Sequence, residues 1–217
     1  MRNLLLIILS TIAVSLYSQT IRITYETGYG FYSLNNLKTV QINISKQLNE
    51  LPVKAVVQFP DYINHSASIG LYLDKNNIFG INASYLTTGG RNHLSDYSGE
   101  YKLDMILNGY QLGIESEHIF NLGNKFDMNL NFKMGLIKSY LDISEYLIIN
   151  GLDSNTSTEN YTQTNFFLEP NLNVSYKIIN SIAFKVGLGY NLNTSTFNRE
   201  LIDWSGFRPR IGISYSL

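Results

Sequence analysis

The sequence of 217 residues contains no cysteine and little charge. A disulfide scaffold, a cysteine metal site and a lipid anchor on cysteine are therefore excluded. Charged residues make up 15% of the chain, against about 25% in a typical soluble domain. The formal net charge is −1, and no basic patch indicates nucleic acid as a partner. No metal motif, phosphate loop or nucleotide fingerprint occurs, so we expect no cofactor.

Long apolar runs are also missing after the first twenty residues, so no membrane-spanning helix is expected there. The beginning of the chain is different. Arg2 is followed by a short apolar run and then by small and polar residues that end near Ser18. This layout is typical of a secretory signal peptide. We predict a cleaved signal peptide at residues 1–18 and one mature domain at residues 19–217.

Aromatic residues are abundant instead, with sixteen tyrosines and eleven phenylalanines. Apolar residues recur at every second position in eight runs, a period that predicts β-strands with one apolar and one polar face. In the fourth run, the apolar residues of segment 103–107 have the opposite parity to those of segment 110–114. We predict a β-bulge near residues 108–109, because a bulge would place both sets on one face.

The connections between these eight strands alternate in length. The short ones are residues 74–77, 121–125 and 178–181, and the long ones are residues 33–61, 88–99, 147–160 and 193–204. Short periplasmic turns and longer external loops are the pattern of an antiparallel up-and-down transmembrane β-barrel. We therefore predict an all-β fold of this kind.

The first long connection contains a second periodicity. Leu37, Val40, Ile44, Leu48 and Leu51 recur at helical spacing, which predicts a short helix in the first external loop. Residues 40–44 also alternate, so an extension of the strand competes with the helix.

The composition of the polar faces indicates which face is inside. These faces are rich in glycine, serine and asparagine, which fit the narrow interior of an eight-stranded barrel. Glycine on the solvated face of a soluble sheet would only weaken the strand. Aromatic residues of the apolar face lie near both strand ends, as expected for the two membrane interfaces. A soluble barrel or sandwich with a solvated polar face is the alternative.

A membrane barrel with this orientation places a set of charges in its lumen. Such charges must pair or reach water. Because strand eight closes against strand one, we expect Arg208 or Arg210 to lie beside Glu26. The predicted lumen network comprises Arg22, Glu26, Glu115, Lys133, Glu169, Lys185, Arg208 and Arg210.

On these features the mature chain resembles the small eight-stranded outer-membrane barrel proteins of Gram-negative bacteria. The resemblance implies location in the cell outer membrane and contact with its lipid and lipopolysaccharide. It also implies that the barrel-assembly machinery recognises alternate residues of the last strand. The corresponding residues here are Ile211, Ile213, Tyr215 and Leu217. The last residue of such proteins is usually phenylalanine, and leucine is a departure from that pattern.

Two classes of function stay open. The first is a non-enzymatic barrel with a structural, adhesive or surface-interaction role, whose external loops would bind an unknown extracellular ligand. The barrel would be porin-like in architecture only, because eight-stranded lumens are usually filled by side chains and do not form open pores. A soluble lipocalin-like binder fits poorly, because the inward face is polar and rich in glycine.

The second class is an outer-membrane enzyme that modifies lipid. Lipid A deacylases of this barrel class use a His-x-Ser pair on one strand together with a glutamate, and the chain resembles them at His93, Ser95 and Glu100. A histidine can act as the base for a serine nucleophile. The same residues also fit an ordinary polar external turn, which is our preferred interpretation.

Overall fold

The computed structural model describes residues 20–47, 53–97, 99–149, 152–195 and 200–217. The predicted signal peptide lies outside these residues. Helix α1 spans Asn35–Gln47. The strands are β1 Ile21–Gly30, β2 Lys54–Gln58, β3 Tyr62–Tyr72, β4 Asn77–Asp96, β5 Gly99–Asn121, β6 Phe126–Ile149, β7 Leu152–Ile179, β8 Ile182–Asn193 and β9 Gly206–Ser216.

Eight of these strands form a closed antiparallel ring in the order β3, β4, β5, β6, β7, β8, β9 and β1. The ring closes because β1 pairs with β3 on one side and with β9 on the other. At the level where all eight strands overlap, closure leaves no unpaired edge. The predicted eight-stranded up-and-down barrel is confirmed. Strand β2 is additional: it pairs only with β4, next to the end of β3.

Side chains alternate between an exposed apolar surface and a buried polar interior. In β1, Ile21, Ile23 and Tyr25 are exposed, whereas Arg22 and Thr24 are buried. The same alternation occurs around the ring, so that a belt of apolar side chains faces outward. Water would not stabilise so large an exposed apolar surface, but lipid does. In the described part of the chain, no helix is long and apolar enough to span a membrane.

The four central strands are much longer than the other strands of the ring. Strands β4, β5, β6 and β7 contain 20, 23, 24 and 28 residues, whereas β1 contains 10 and β8 contains 12. The connections expected at residues 88–99 and 147–160 are therefore largely strand. Their apolar alternation is weak because they extend beyond the lipid, where an outward-facing side chain can be polar.

The predicted β-bulge in the fourth run is wrong. Strand β5 pairs continuously with β4 and with β6, without a shift of register. Leu103 and Met105 consequently point into the barrel and are buried, whereas Tyr110 and Leu112 point outward and are exposed. The parity changes because the environment changes along the strand: within the bilayer the outside is apolar, and above it the inside is apolar.

Helix α1 confirms the helix predicted in the first loop. It follows Leu34, a buried residue with a left-handed φ of 42°. Phe59, between β2 and β3, is also buried and has a φ of 44°. Non-glycine residues rarely adopt this conformation. At both positions the strained backbone directs an apolar side chain into the same core above the barrel.

Candidate functional site

The lumen of the barrel contains a continuous network of charged side chains. The structure places all eight charged residues considered above in the interior, each buried. At the periplasmic end, Arg22 forms an ion pair with Glu117. Lys185 lies 3.2 Å from Glu117 and 4.0 Å from Glu26. Glu26 also accepts a hydrogen bond of 2.8 Å from Lys133. Glu117 and Glu26 thus each contact at least two cations.

The network continues toward the external end through two arginines of β9. Arg210 lies 3.5 Å from Glu26 and 2.7 Å from Glu169. Arg208 donates a hydrogen bond of 2.8 Å to Glu169 and another of 3.1 Å to Gln111. Of the two arginines considered for the seam, Arg210 contacts Glu26, and Arg208 contacts Glu169 instead. The planar guanidinium group suits this bridging role.

Glu117 was absent from the sequence-based network, although it joins two of its cations. It lies two residues after Glu115 on the same strand, so the period of two could have identified it. Glu115 is buried too, and its contact is a hydrogen bond of 3.5 Å donated by Asn131.

An apolar core closes the lumen above the charges. Trp204, in the segment before β9, is completely buried and donates a hydrogen bond of 2.9 Å to Ser139. Its ring packs edge-to-face on Tyr32 at 4.7 Å, and its carbonyl oxygen accepts a hydrogen bond from Arg208. The core comprises Tyr32, Leu34, Leu37, Val53, Phe59, Leu86, Tyr101, Leu103, Met105, Leu107, Ile137, Leu141, Phe167, Ile202 and Trp204.

We call the part of the protein above the outer aromatic belt the headpiece. It comprises α1, β2 and residues 87–96, 99–108, 141–149 and 152–165 of the four long strands. Strand β4 continues from Tyr85 in the belt to Asp96, which at about 3.3 Å per residue corresponds to roughly 35 Å of strand. Helix α1 is bound to β4 and β2 by Gln41, which donates hydrogen bonds to Asn92 and to the Val57 carbonyl.

The structure brings two of the three residues of the possible lipid-enzyme site together. His93 and Glu100 lie on paired strands, with Nε2 and Oε1 3.0 Å apart. Ser95 pairs with Glu100 in the ladder. In the described part of the chain, no hydrogen bond joins Ser95 to His93. His93 lies roughly 26 Å along the strand beyond Tyr85, well above the belt.

The last strand presents its alternate apolar residues outward. Ile211, Ile213, Tyr215 and Leu217 are all exposed. Exposed aromatic pairs lie at both ends of the belt, such as Phe126 with Tyr176, whose ring centroids are 5.1 Å apart. In the described residues, no group of three histidine, aspartate or glutamate side chains could hold a metal ion.

The closed ring, apolar belt and polar lumen define an eight-stranded transmembrane β-barrel of the outer-membrane type. No protein-family model and no curated protein matches the sequence. The fold is similar to that of Neisserial surface protein A, at 12% identity and a TM-score of 0.47, covering 92% of this chain and 97% of that chain.

Two further solved structures are similar. The N-terminal β-barrel domain of OprF from Pseudomonas aeruginosa has 11% identity and a TM-score of 0.42, with 90% of this chain and 97% of that chain covered. Ail, the attachment invasion locus protein of Yersinia pestis, has 11% identity and a TM-score of 0.41, with 92% and 97% covered. These neighbours are outer-membrane barrels of Gram-negative bacteria.

Proposed function

We propose that the protein is a non-enzymatic outer-membrane barrel whose headpiece binds a partner outside the cell. The observation that carries this proposal is the headpiece itself. Four strands extend far beyond the lipid belt and enclose their own apolar core, which α1 and β2 cover. A protein that served only as a membrane anchor would not need an ordered structure of this height. Rigid scaffolds that position surface residues are typical of binding proteins.

The lumen supports this proposal because it contains a salt-bridge network below and an apolar core above. Transport through such an interior would require both layers to open. We therefore assign the activity of the barrel to its external surface.

The proposal is tested with a variant in which the β4–β5 and β6–β7 hairpins are shortened to the level of Tyr85. Cells that produce the intact or the shortened protein are compared for attachment to surfaces coated with extracellular proteins. We expect attachment with the intact protein only. Heat-modifiable migration on a detergent gel checks that the shortened barrel is folded. Equal attachment by both strains would contradict the proposal.

Contact with lipid and lipopolysaccharide is part of the same proposal. A groove of about 360 Å³ lies on the outer wall just above the belt, and Tyr62, Arg91 and Ile106 contribute to its lining. Its apolar residues continue the lipid-facing surface. Arg91 and the neighbouring Lys102 share the single carboxylate of Asp104, which leaves one positive charge in excess at this place. Mass spectrometry of lipid that copurifies with wild type and with Arg91→Ala tests this contact. We expect less anionic lipid with the variant, and equal amounts would contradict it.

Assembly through the barrel-assembly machinery is proposed on the exposed series that ends at Leu217. Replacement of Tyr215 by aspartate is expected to lower the amount of folded protein in the outer membrane. Immunoblots of outer-membrane fractions measure this amount, with the exposed Phe207 replaced by aspartate as the control outside the series.

A lipid-modifying enzyme is the second candidate, favoured by the contact between His93 and Glu100. The height of this pair above the belt opposes the candidate, because ester bonds of membrane lipid lie near the belt. Mass spectrometry of lipid A from cells with wild type, His93→Ala or no protein tests it. We expect the same acyl pattern in all three, and a change that depends on His93 would favour the enzyme.

A further inference from the structure

Among the residues that the structure describes, one edge of the headpiece sheet has no neighbouring strand. Strand β8 pairs with β7 only as far as Phe167 and Asn193. Beyond that point, in the described residues, β7 pairs with β6 alone. The opposite edge of the sheet is different, because β2 covers β4 there between Gly90 and His93. One edge is thus covered by the short strand β2, and the other is left open by the described part of the chain.

The direction of the backbone groups at the open edge follows from one hydrogen bond. The Phe166 N–H donates to Thr194 Oγ1 at 3.2 Å, so it points away from β6. Backbone groups of an antiparallel strand alternate in direction from residue to residue. The β6–β7 ladder has no shift of register between Phe126 and Leu147. The N–H and C=O groups that face the open edge are therefore those of Thr158, Asn160, Thr162 and Thr164.

This edge lacks the features that prevent strands from pairing. Proteins protect exposed edges with lysine, proline, bulges or short strands. Residues 152–166 include no lysine, arginine or proline, and the ladder of residues 155–166 is regular. Residues 157–162 are exposed on both faces of the strand. The three threonines at the edge have high β-propensity. The segment is therefore well suited to accept another strand.

The charge around the edge indicates the chemistry of its partner. Asp142 and Glu145 on β6 and Glu159 on β7 are acidic, and the nearest basic residue on these two strands, Lys138, lies opposite Thr164 at the lower end of the edge. In the part of the chain that the structure describes, none of these three carboxylates forms an ion pair. A second copy of this chain would bring like charges together at such an edge. A positively charged strand would be attracted to it.

We propose that the open edge of β7, residues 158–164, binds an extended, positively charged segment of another protein, which adds to the sheet as a strand. Main-chain hydrogen bonds would supply affinity, and the acidic side chains would select basic sequences. The chain contains an internal example of such pairing in β2, which begins with Lys54 and adds to β4. This inference rests on the proposed function and specifies the site and the partner of the headpiece.

The test uses the purified full chain in detergent and a nine-residue peptide in which lysine alternates with threonine or valine. Thr162→Pro removes one edge donor without removing a hydrogen bond to β6, and Thr162→Val keeps that donor. We expect the peptide to bind wild type and Thr162→Val equally and Thr162→Pro at least about fivefold more weakly. The same peptide with methylated backbone nitrogens keeps its charge, and its binding is expected to be weak.

Three results would overturn the inference. They are equal binding to Thr162→Pro and Thr162→Val, equal binding of the methylated peptide, and sedimentation that shows dimers of wild type but monomers of Thr162→Pro. Gel mobility before and after heating checks that every variant is folded. If the peptide results are negative but the shortened headpiece still abolishes attachment, the edge is excluded while the proposed function of the headpiece stands.

Discussion

At the scale of single residues, the lumen shows how a barrel tolerates buried charge. Glu117 contacts Arg22 and Lys185, and Glu169 contacts Arg208 and Arg210. Each of these two carboxylates balances two cations that have little access to bulk water. Buried charges are expensive unless they are paired, so the loss of one acid leaves two cations without compensation.

This arrangement predicts a difference between two neighbouring glutamates of β5. Glu117→Gln is expected to lower the free energy of unfolding by about 3–5 kcal/mol, because it breaks two buried ion pairs. Glu115→Gln is the matched control on the same strand and face. Its loss should be about 1 kcal/mol or less, because among the described residues Glu115 forms no ion pair and accepts a long hydrogen bond from Asn131. Urea titration in detergent measures both, and equal losses would argue against the proposed balance.

At the scale of elements, β5 changes polarity along its length. Within the belt, Leu112 faces lipid and Gln111 faces the lumen, whereas in the headpiece Met105 faces the core and Asp104 faces out. The strand keeps one register along its whole length. Its apolar face is on the outside within the belt and on the inside in the headpiece. A rule that assigns one face to lipid along the whole strand therefore fails at the membrane boundary.

Because the apolar face of β5 is on the inside in the headpiece, Met105 and its neighbour Ile106 should differ in how well they tolerate substitution. Met105→Ala is expected to destabilise the headpiece by about 2–5 kcal/mol, because it leaves a cavity in the core. Ile106→Ala, on the exposed face, should change stability by less than about 0.5 kcal/mol. Amide hydrogen exchange in residues 99–108 distinguishes headpiece opening from barrel unfolding. Faster exchange in the Ile106 variant than in the Met105 variant would contradict the assignment of faces.

The outer surface of the β4–β5 hairpin contains a pH-dependent interaction. Burial opposes the ionisation of Asp104, but hydrogen bonds from Arg91 and Lys102 outweigh it and hold the pKa of this carboxyl below its ordinary value of 3.8. The pKa of Asp104 is lower in the folded protein than in the unfolded chain. The interaction therefore stabilises the hairpin at pH values above the ordinary pKa, and this stabilisation is lost as the pH falls through the pKa of the folded protein. Wild type should therefore be more stable than Asp104→Asn at pH 7, with a smaller difference at pH 3, as measured by thermal unfolding.

Sequence periodicity was sufficient for the ring and its belt, since lipid imposes an apolar outward face on every strand that crosses it. It was insufficient for the headpiece, where Leu103 and Met105 reverse the pattern and where the polar ladder of β7 has no apolar period. The lumen charges of β1 and β9 followed from parity alone. Their partners did not, because side chains such as Lys133 and Glu26 meet across the barrel from distant strands.

At the scale of the whole molecule, the external rim of the barrel is asymmetric. Strands β4, β5, β6 and β7 form a high wall on one side, and the shorter strands β1, β3, β8 and β9 end lower on the other side. The segment that contains Trp204 fills the mouth, and α1 packs on the wall at β4. The binding site that we propose lies along the open edge of β7.

Filling of the interior predicts that the protein does not conduct ions as porins do. Reconstituted in planar bilayers, wild type should give no stepwise current, because charged pairs and the apolar core occupy the lumen in series. Trp204→Ala combined with Arg208→Ala removes a side chain from each layer and provides the comparison. Regular current steps from the wild-type protein would show that the interior opens.

The position of Trp204 has a practical consequence. The chain contains one tryptophan, and it lies in the apolar core that joins the headpiece to the barrel mouth. Its fluorescence therefore reports whether the segment around Trp204 has packed into this core, while gel mobility reports the closure of the ring. The two signals together can show whether the barrel closes before the core at its mouth packs, or whether both steps occur together.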